Sequence, residues 1–77
     1  MNGSPREYRL YLSISREEML RYYRGAAAAV QAVSEDGCRV RFPASILRPF
    51  ITAAGVEGHF VLRVDGRDRV LGLDRTD

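Results

Sequence analysis

The stretch AAAVQAVSEDGCRVRF, residues 27–42, decides between a mainly helical chain and a mainly β chain. Alanine is the best helix former, so propensity alone would continue a helix into this stretch. Its centre, SEDG at residues 34–37, is a turn signal, and beyond the turn apolar residues alternate with arginines. A turn between two such runs is typical of a β-hairpin. The pattern therefore predicts a strand over residues 27–33 paired with a strand over residues 38–42.

Upstream of this stretch, apolar and polar residues alternate with a period of two, which is typical of a half-buried strand. One face of this strand is apolar and should be buried, whereas the opposite face should be exposed. The expected buried set is Tyr8, Leu10, Leu12 and Ile14, and the expected exposed set is Arg9, Tyr11 and Ser13.

A helix is predicted to begin after this strand. Ser15 and Glu18 have the spacing of a capping box, in which each side chain bonds a backbone N–H near the other residue. Met19, Leu20 and Tyr23 can share one buried stripe. Gly25 follows Arg24 as a helix-ending signal, with cationic residues in the preceding turn.

The second half of the chain predicts one helical turn and two further strands. Residues 43–48 suit a single turn that Pro49 ends, and the apolar residues around it should close one end of the core. Residues 52–58 are expected to form a loop. Alternation then predicts a strand with His59, Val61 and Arg63 exposed and Phe60, Leu62 and Val64 buried. Asp65-Gly66 is a hairpin signal, and a last strand is expected over residues 69–73 with Leu71 and Leu73 buried.

The order of these elements is β-α-β-β-helical turn-β-β, so the predicted class is α+β. We expect a small, strongly bent antiparallel sheet or an open five-stranded barrel with one covering helix. Residues 1–5 are expected to be a disordered tail, and residues 6–75 a single domain.

Composition excludes several classes of function. The chain has 77 residues with one Cys and one His, so it has neither a disulfide framework nor the ligands of a zinc finger. No apolar run approaches the ~20 residues that span a bilayer, and the N-terminus has no signal-peptide pattern. We therefore expect a soluble cytoplasmic protein with no cofactor, no metal and no membrane association.

Several segments resemble a known family. They are LRYYRG at residues 20–25, DGCRVRFPA at residues 36–44 and LRPF at residues 47–50. Together they resemble a family of short gammaproteobacterial proteins known as domain of unknown function 2835, over nearly the whole chain after the tail. The resemblance implies a stand-alone cytosolic bacterial protein and transfers no catalytic or ligand-binding residue.

The candidate chemical groups do not form a catalytic set. Cys38 is expected to be a small buried hydrophobe. His59 is expected on the outer face, with no nucleophile or carboxylate at a spacing that nominates a partner. No Gly spacing fits a phosphate-binding loop. We therefore expect no enzymatic activity.

Arginine supplies all twelve positive side chains of the chain, whose net charge is +2. Either arginine's planar fork serves recognition of carboxylate or phosphate, or a GC-rich genome has enriched arginine and alanine. We expect an adaptor domain that binds a protein partner, such as a nucleic-acid-processing or metabolic enzyme, through an outer sheet face. Direct nucleic-acid binding is the alternative, a solvated face without function is a third interpretation, and the oligomeric state stays open. The predicted contact residues are Arg39, Arg41, Arg63, Tyr11, Arg9 and His59.

Overall fold

The computed structural model describes residues 6–24 and 29–77, with only the backbone at residues 23 and 24. Within these ranges the predicted order of elements is confirmed. The elements are β1 (Arg6–Ser15), α1 (Arg16–Arg24), β2 (Ala29–Val33), β3 (Arg39–Pro43), a 3-10 helix (Ala44–Phe50), β4 (Gly55–Val64) and β5 (Val70–Arg75).

The strands form two antiparallel sheets, so the fold is α+β but not a closed barrel. The first sheet has the order β1-β4-β5, and the second is the β2–β3 hairpin. A backbone hydrogen bond of 2.8 Å from Glu35 N to Arg9 O connects the turn of the hairpin to β1. The single bent sheet that we expected is therefore two sheets, and the break lies between β1 and the β2–β3 hairpin.

One hydrophobic core lies between the inner faces of the two sheets and the two helices. Alternation along β1 buries the apolar set as predicted, with Leu10 and Leu12 fully inside and Tyr8 and Ile14 half-buried. The buried residues of the core are Leu10, Leu12, Met19, Val30, Phe42, Ala44, Leu47, Val56, Phe60, Leu62, Val64 and Leu73.

The predicted capping box begins α1. Ser15 N donates to a carboxylate oxygen of Glu18, and Glu18 N donates to Ser15 Oγ, both at 3.2 Å. The predicted buried stripe was wrong at Leu20, which is 44% exposed. Met19 is buried and Tyr22 packs on the core instead, because an i, i+3 pair lies on one face of a helix. The predicted burial of the Tyr23 side chain and the predicted helix-ending role of Gly25 lie outside the part of the chain that the structure describes.

The β2–β3 hairpin confirms that Ala29–Val33 is a strand and not a continued helix. β2 begins at Ala29, and the remainder of the predicted strand, residues 27 and 28, lies outside the described residues. Gly37 has a φ of 87°, a conformation that glycine adopts without strain, and it closes the turn. The expectation of a buried Cys38 was wrong. Its side chain is exposed because Cys38 precedes β3 and lies beside the exposed turn residues Asp36 and Gly37, away from the core.

The predicted helical turn is a longer 3-10 helix, and Pro49 does not end it. The helix runs to Phe50, because i→i+3 bonding loses a single donor at Pro49 and closes with a bond from Ile51 N to Arg48 O. Leu47 is fully buried, and Ile46, Phe50 and Ile51 pack against the core. This helix therefore closes one end of the core as expected.

The expectation of a loop over residues 52–58 was wrong in its second half, where β4 begins at Gly55. Gly55 lies opposite Ser15, and a Cβ at Gly55 would lie 2.1 Å from Ile14 O. Its φ of 105° also favours glycine. Gly55, which suggested a loop, instead allows the start of β4 to pair closely with the end of β1.

The last strand is shifted relative to the prediction and covers Val70–Arg75. A β-bulge opposite Arg63 and Val64 places Gly72 across from Arg63 and Val70 across from Val64. Leu71 falls between these pairs and is 53% exposed, so its predicted burial was wrong. Leu73 is buried as predicted.

Candidate functional site

Four of the six predicted contact residues lie on the outer face of the three-stranded sheet, which we call the outer sheet face. Arg9 and Tyr11 are on β1, whereas His59 and Arg63 are on β4. The register places Tyr11 directly opposite His59. The intervening residues of both strands are buried or half-buried, so the predicted alternation is confirmed, although Val61 and Arg63 are half-buried rather than exposed.

Tyr11 is held by two neighbours on β4. Its hydroxyl donates to a carboxylate oxygen of Glu57 at 2.9 Å. Its ring lies 5.0 Å from the imidazole of His59, at an interplanar angle of 58°. The hydrogen bond to Glu57 raises the pKa of Tyr11, because the carboxylate favours the protonated phenol. Tyr11 is therefore half-exposed but fixed in orientation.

His59 is bound by Asp77, and we call Asp77 with its partners the Asp77 clasp. One carboxylate oxygen of Asp77 accepts the backbone N–H of His59 at 3.0 Å and lies 3.1 Å from His59 Nδ1. The other accepts from Arg75 Nε at 3.1 Å. These bonds, led by the one from the His59 side chain, lower the pKa of Asp77 from 3.8 to about 2.

Arg75 lies opposite Phe60 in the β4–β5 ladder and connects the clasp to β4. Its guanidinium donates to Glu57 O at 2.5 Å and lies 5.5 Å from the centroid of the Phe60 ring. A Cβ at Gly58 would lie 2.8 Å from Arg75 Nη2, so glycine leaves the space that this side chain uses.

Arg63 pairs within its own sheet. Its Nε donates to Asp74 at 3.0 Å, from β4 to the neighbouring strand β5. Gly72 lies directly across from Arg63, and a Cβ there would be 2.7 Å from Arg63 Nη2. The missing side chain of Gly72 thus gives the guanidinium its path to the carboxylate.

Arg9 lies among acidic neighbours. It lines a small surface crevice of about 330 Å³ together with Glu7, Glu35 and Asp36. Ser34 Oγ bonds the Asp36 carboxylate and lowers the pKa of Asp36. The crevice is therefore rich in negative charge, which opposes the binding of a phosphate beside Arg9.

Arg39 and Arg41 lie on a different surface, the exposed face of the β2–β3 hairpin, which we call the hairpin face. Gln31 lies opposite Arg41, and Val33 lies opposite Arg39. All four residues are exposed, and Val33 is 61% exposed. They line a shallow depression of about 480 Å³. Within residues 6–24 and 29–77, neither arginine forms an ion pair or a side-chain hydrogen bond.

The predicted patch is therefore divided between two sheets. β3 pairs with β2, whereas Arg63 lies on β4 in the three-stranded sheet. The structure brings Tyr11, His59 and Arg63 onto one face, and it brings Arg39 and Arg41 together on another. The two groups also differ in their partners, because each side chain of the first group bonds a carboxylate and Arg39 and Arg41 bond none in the described part of the chain.

Three site residues were not predicted: Glu57, Asp74 and Asp77. Glu57 fell in the predicted loop, so no face could be assigned to it. The partners of Arg63 and His59 depend on the β4–β5 register, which the bulge shifts. The only sequence signals were a glycine at position 72 and carboxylates after the last apolar alternation.

In the described part of the chain, no group of three or more His, Cys, Asp and Glu side chains could hold a metal ion. In the same part, neither helix has the length and apolar character needed to span a membrane.

The family comparison gives one match. The family model described as "Protein of unknown function (DUF2835)" matches residues 6–76. The chain belongs to this family. No curated protein and no solved structure matches the chain. The family resemblance inferred from residues 20–50 is confirmed, and the family description assigns no activity.

Proposed function

We propose that this DUF2835 protein is a non-enzymatic interaction domain that binds an acidic surface of a larger protein through Arg39 and Arg41. Arginine is enriched at interface hot spots, and its planar fork suits two-pronged bonding to carboxylates. The flanking Val33 adds exposed apolar surface to the hairpin face.

The observation that supports this proposal is the difference in pairing between the arginines. Arg63 and Arg75 bond Asp74 and Asp77, whereas Arg39 and Arg41 bond no carboxylate in the described part of the chain. They are two residues apart on one strand, so their Cα atoms are separated by about 7 Å on the same face. Two adjacent free guanidinium groups present concentrated positive charge to a partner.

The proposed setting is the bacterial cytoplasm, in a gammaproteobacterium, with a nucleic-acid-processing or metabolic enzyme as the partner. The exposed free thiol of Cys38 supports a reducing compartment, because disulfides form readily on such thiols in oxidising ones. Among the described side chains, the histidine bonds a carboxylate rather than a nucleophilic hydroxyl or thiol, which supports a binding role over catalysis.

The test is affinity capture from the source cells with the tagged protein and two charge-reversal variants. Arg39→Glu/Arg41→Glu reverses the charge of the hairpin face. Arg16→Glu/Arg21→Glu changes the net charge equally, at two exposed positions of α1. We expect a partner that the wild type and the helix variant retain at equal yield and that the hairpin variant loses by at least about tenfold.

Circular dichroism and the unfolding midpoint would show that both variants fold. Equal capture by all three proteins would overturn the proposed contact surface. Equal loss in both variants would also overturn it, because net charge rather than the hairpin face would then control binding.

Direct nucleic-acid binding is the second candidate, and the Tyr11–His59 ring pair favours it. Exposed aromatic rings on a sheet can stack bases, and Arg63 lies on the same face as a contact for phosphate. Glu57 and Asp74 oppose this function, since they neutralise this face. The test is titration of labelled single-stranded and double-stranded oligonucleotides at low salt. Binding that weakens steeply with salt and with Tyr11→Ala would support it, and no binding at high micromolar protein would exclude it.

A further inference from the structure

We infer that the open edge of β3 accepts an extended acidic segment of a protein partner as an added antiparallel strand, with carboxylates at alternate positions. This inference rests on the proposed function and specifies how the hairpin face binds. Strand addition to a sheet edge is a common mode of peptide recognition, in which the main chain gives affinity and alternate side chains give specificity.

The first argument is that β3 is an edge strand. Within residues 6–24 and 29–77, β3 pairs only with β2. An edge strand presents a row of unpaired N–H and C=O groups, which is a template for another strand. The half-buried Val40 and buried Phe42 fix the inner face of β3, so the strand is held in place by the core.

The second argument concerns which backbone groups face the open edge. Ser34 N donates to Cys38 O at 2.8 Å, so these two residues form a hydrogen-bonded pair of the hairpin ladder. Bonded and non-bonded pairs alternate along an antiparallel ladder. Arg39 and Arg41 therefore fall in non-bonded pairs with β2, and their N–H and C=O groups point to the open edge.

Pro43 follows the same alternation and also faces the open edge. Because proline has no N–H, the added strand cannot receive a hydrogen bond there. An added strand can therefore accept backbone hydrogen bonds from β3 only at the N–H groups of Arg39 and Arg41, which limits the registers in which it can pair. A short segment of about five residues spans this length of edge.

The third argument is that side chains and backbone agree. Residues of the added strand directly opposite Arg39 and Arg41 would project on the same face as the two guanidinium groups, with Cβ atoms about 5 Å apart across the strands. These residues are two positions apart in the partner. Two carboxylates at positions i and i+2 would therefore each meet one arginine, whereas adjacent carboxylates would point to opposite faces.

A second copy of this chain is a poor occupant of the same edge. Antiparallel pairing of β3 with itself about Arg41 places two arginines opposite each other, and pairing about Val40 places Arg39 opposite Arg41. Like charges directly opposite each other destabilise a strand pair. The charge of the hairpin face therefore favours an acidic partner over self-association.

The test uses three synthetic peptides with equal net charge in NMR titrations of the labelled full chain. The first has glutamates at alternate positions between threonines and valines. The second has the same composition with the glutamates adjacent, and the third has the first sequence with N-methyl groups on the backbone amides that would pair with β3. Amide hydrogen exchange of Arg39 and Arg41 is measured in each complex.

We expect the alternating peptide to bind at least about tenfold more tightly than either of the other two, and to slow amide exchange at Arg39 and Arg41. Arg39→Glu/Arg41→Glu should abolish this binding, and Arg16→Glu/Arg21→Glu should not. Equal affinity for the three peptides without amide protection would overturn strand addition. The absence of any chemical-shift change at the Arg39 and Arg41 amides at millimolar peptide would also overturn it. So would slowed exchange of these amides in concentrated protein without peptide, because a second copy of the chain would then occupy the edge. Capture of a partner through the hairpin face would survive these failures, so the two proposals are tested separately.

Discussion

The outer sheet face and the hairpin face both carry arginines but differ in how these are paired. On the outer sheet face, Arg63 bonds Asp74 and His59 bonds Asp77. On the hairpin face, Arg39 and Arg41 are exposed without a carboxylate partner in the described part of the chain. The comparison teaches that a count of arginines does not locate a binding surface. What matters is which guanidinium groups the fold has left without a partner.

The two sheets also differ in how tightly their glycines are packed, and the largest expected effect tests this difference. Gly55→Ala places a methyl group against Ile14 O and requires an unfavourable φ, so it should destabilise the protein by at least about 3 kcal/mol. Gly37→Ala has a similar φ but no atom within 4 Å, and it should cost about 1 kcal/mol. Urea unfolding of both variants measures the contrast. Equal costs would show that close packing between β1 and β4 does not limit position 55.

A second prediction concerns the turn that precedes the hairpin face. Ser34 is buried, and its Oγ accepts from Cys38 N at 3.0 Å and bonds the carboxylate of Asp36. Ser34→Ala leaves the Cys38 N–H without its partner and should cost about 1–2 kcal/mol. The matched control is Ser13→Ala, which removes an exposed hydroxyl on β1 and should stay within about 0.5 kcal/mol. Similar unfolding midpoints for the two variants would contradict this role of Ser34.

A third prediction concerns the loss of stability at low pH, to which the Asp77 clasp contributes. The folded pKa of Asp77 is about 2, below its ordinary value of 3.8. The clasp therefore contributes stability above pH 3.8, and that contribution is lost as the pH falls through about 2. Asp77→Asn should lower the unfolding midpoint at pH 7 and reduce the fall of this midpoint between pH 4 and pH 2. Asp68→Asn removes an equal charge and should leave that fall as it is in the wild type. If the midpoint of Asp77→Asn falls between pH 4 and pH 2 as much as that of the wild type, the clasp is not the source of this fall.

Much of the fold follows from local sequence patterns. The alternation along β1, the capping box at Ser15 and Glu18, and the SEDG turn each depend on neighbouring residues, and each is confirmed. Ala29 lies in a strand despite the helix propensity of alanine, because the turn and the alternation beyond it favour pairing of β2 with β3.

The errors lie where distant contacts decide. Whether Gly55 belongs to a loop or a strand depends on the backbone of β1, which lies about forty positions away in sequence. The exposure of Leu71 depends on a bulge that shifts the β4–β5 register. That register also assigns Asp74 to Arg63, so the pairing of Arg63 within its own sheet could not be predicted. The exposed positions of Arg39 and Arg41 were predicted, since they need only alternation within one strand.

The most direct test of the difference between the two faces measures stability and capture for the same two variants. Arg39→Glu/Arg41→Glu should keep the wild-type unfolding midpoint and lose the partner, because these side chains bond nothing in the described part of the chain. Arg63→Glu should lower the midpoint through repulsion with Asp74 and keep the partner. The reverse pattern, with partner capture lost in Arg63→Glu and retained in Arg39→Glu/Arg41→Glu, would contradict the assignment of the contact surface to the hairpin face.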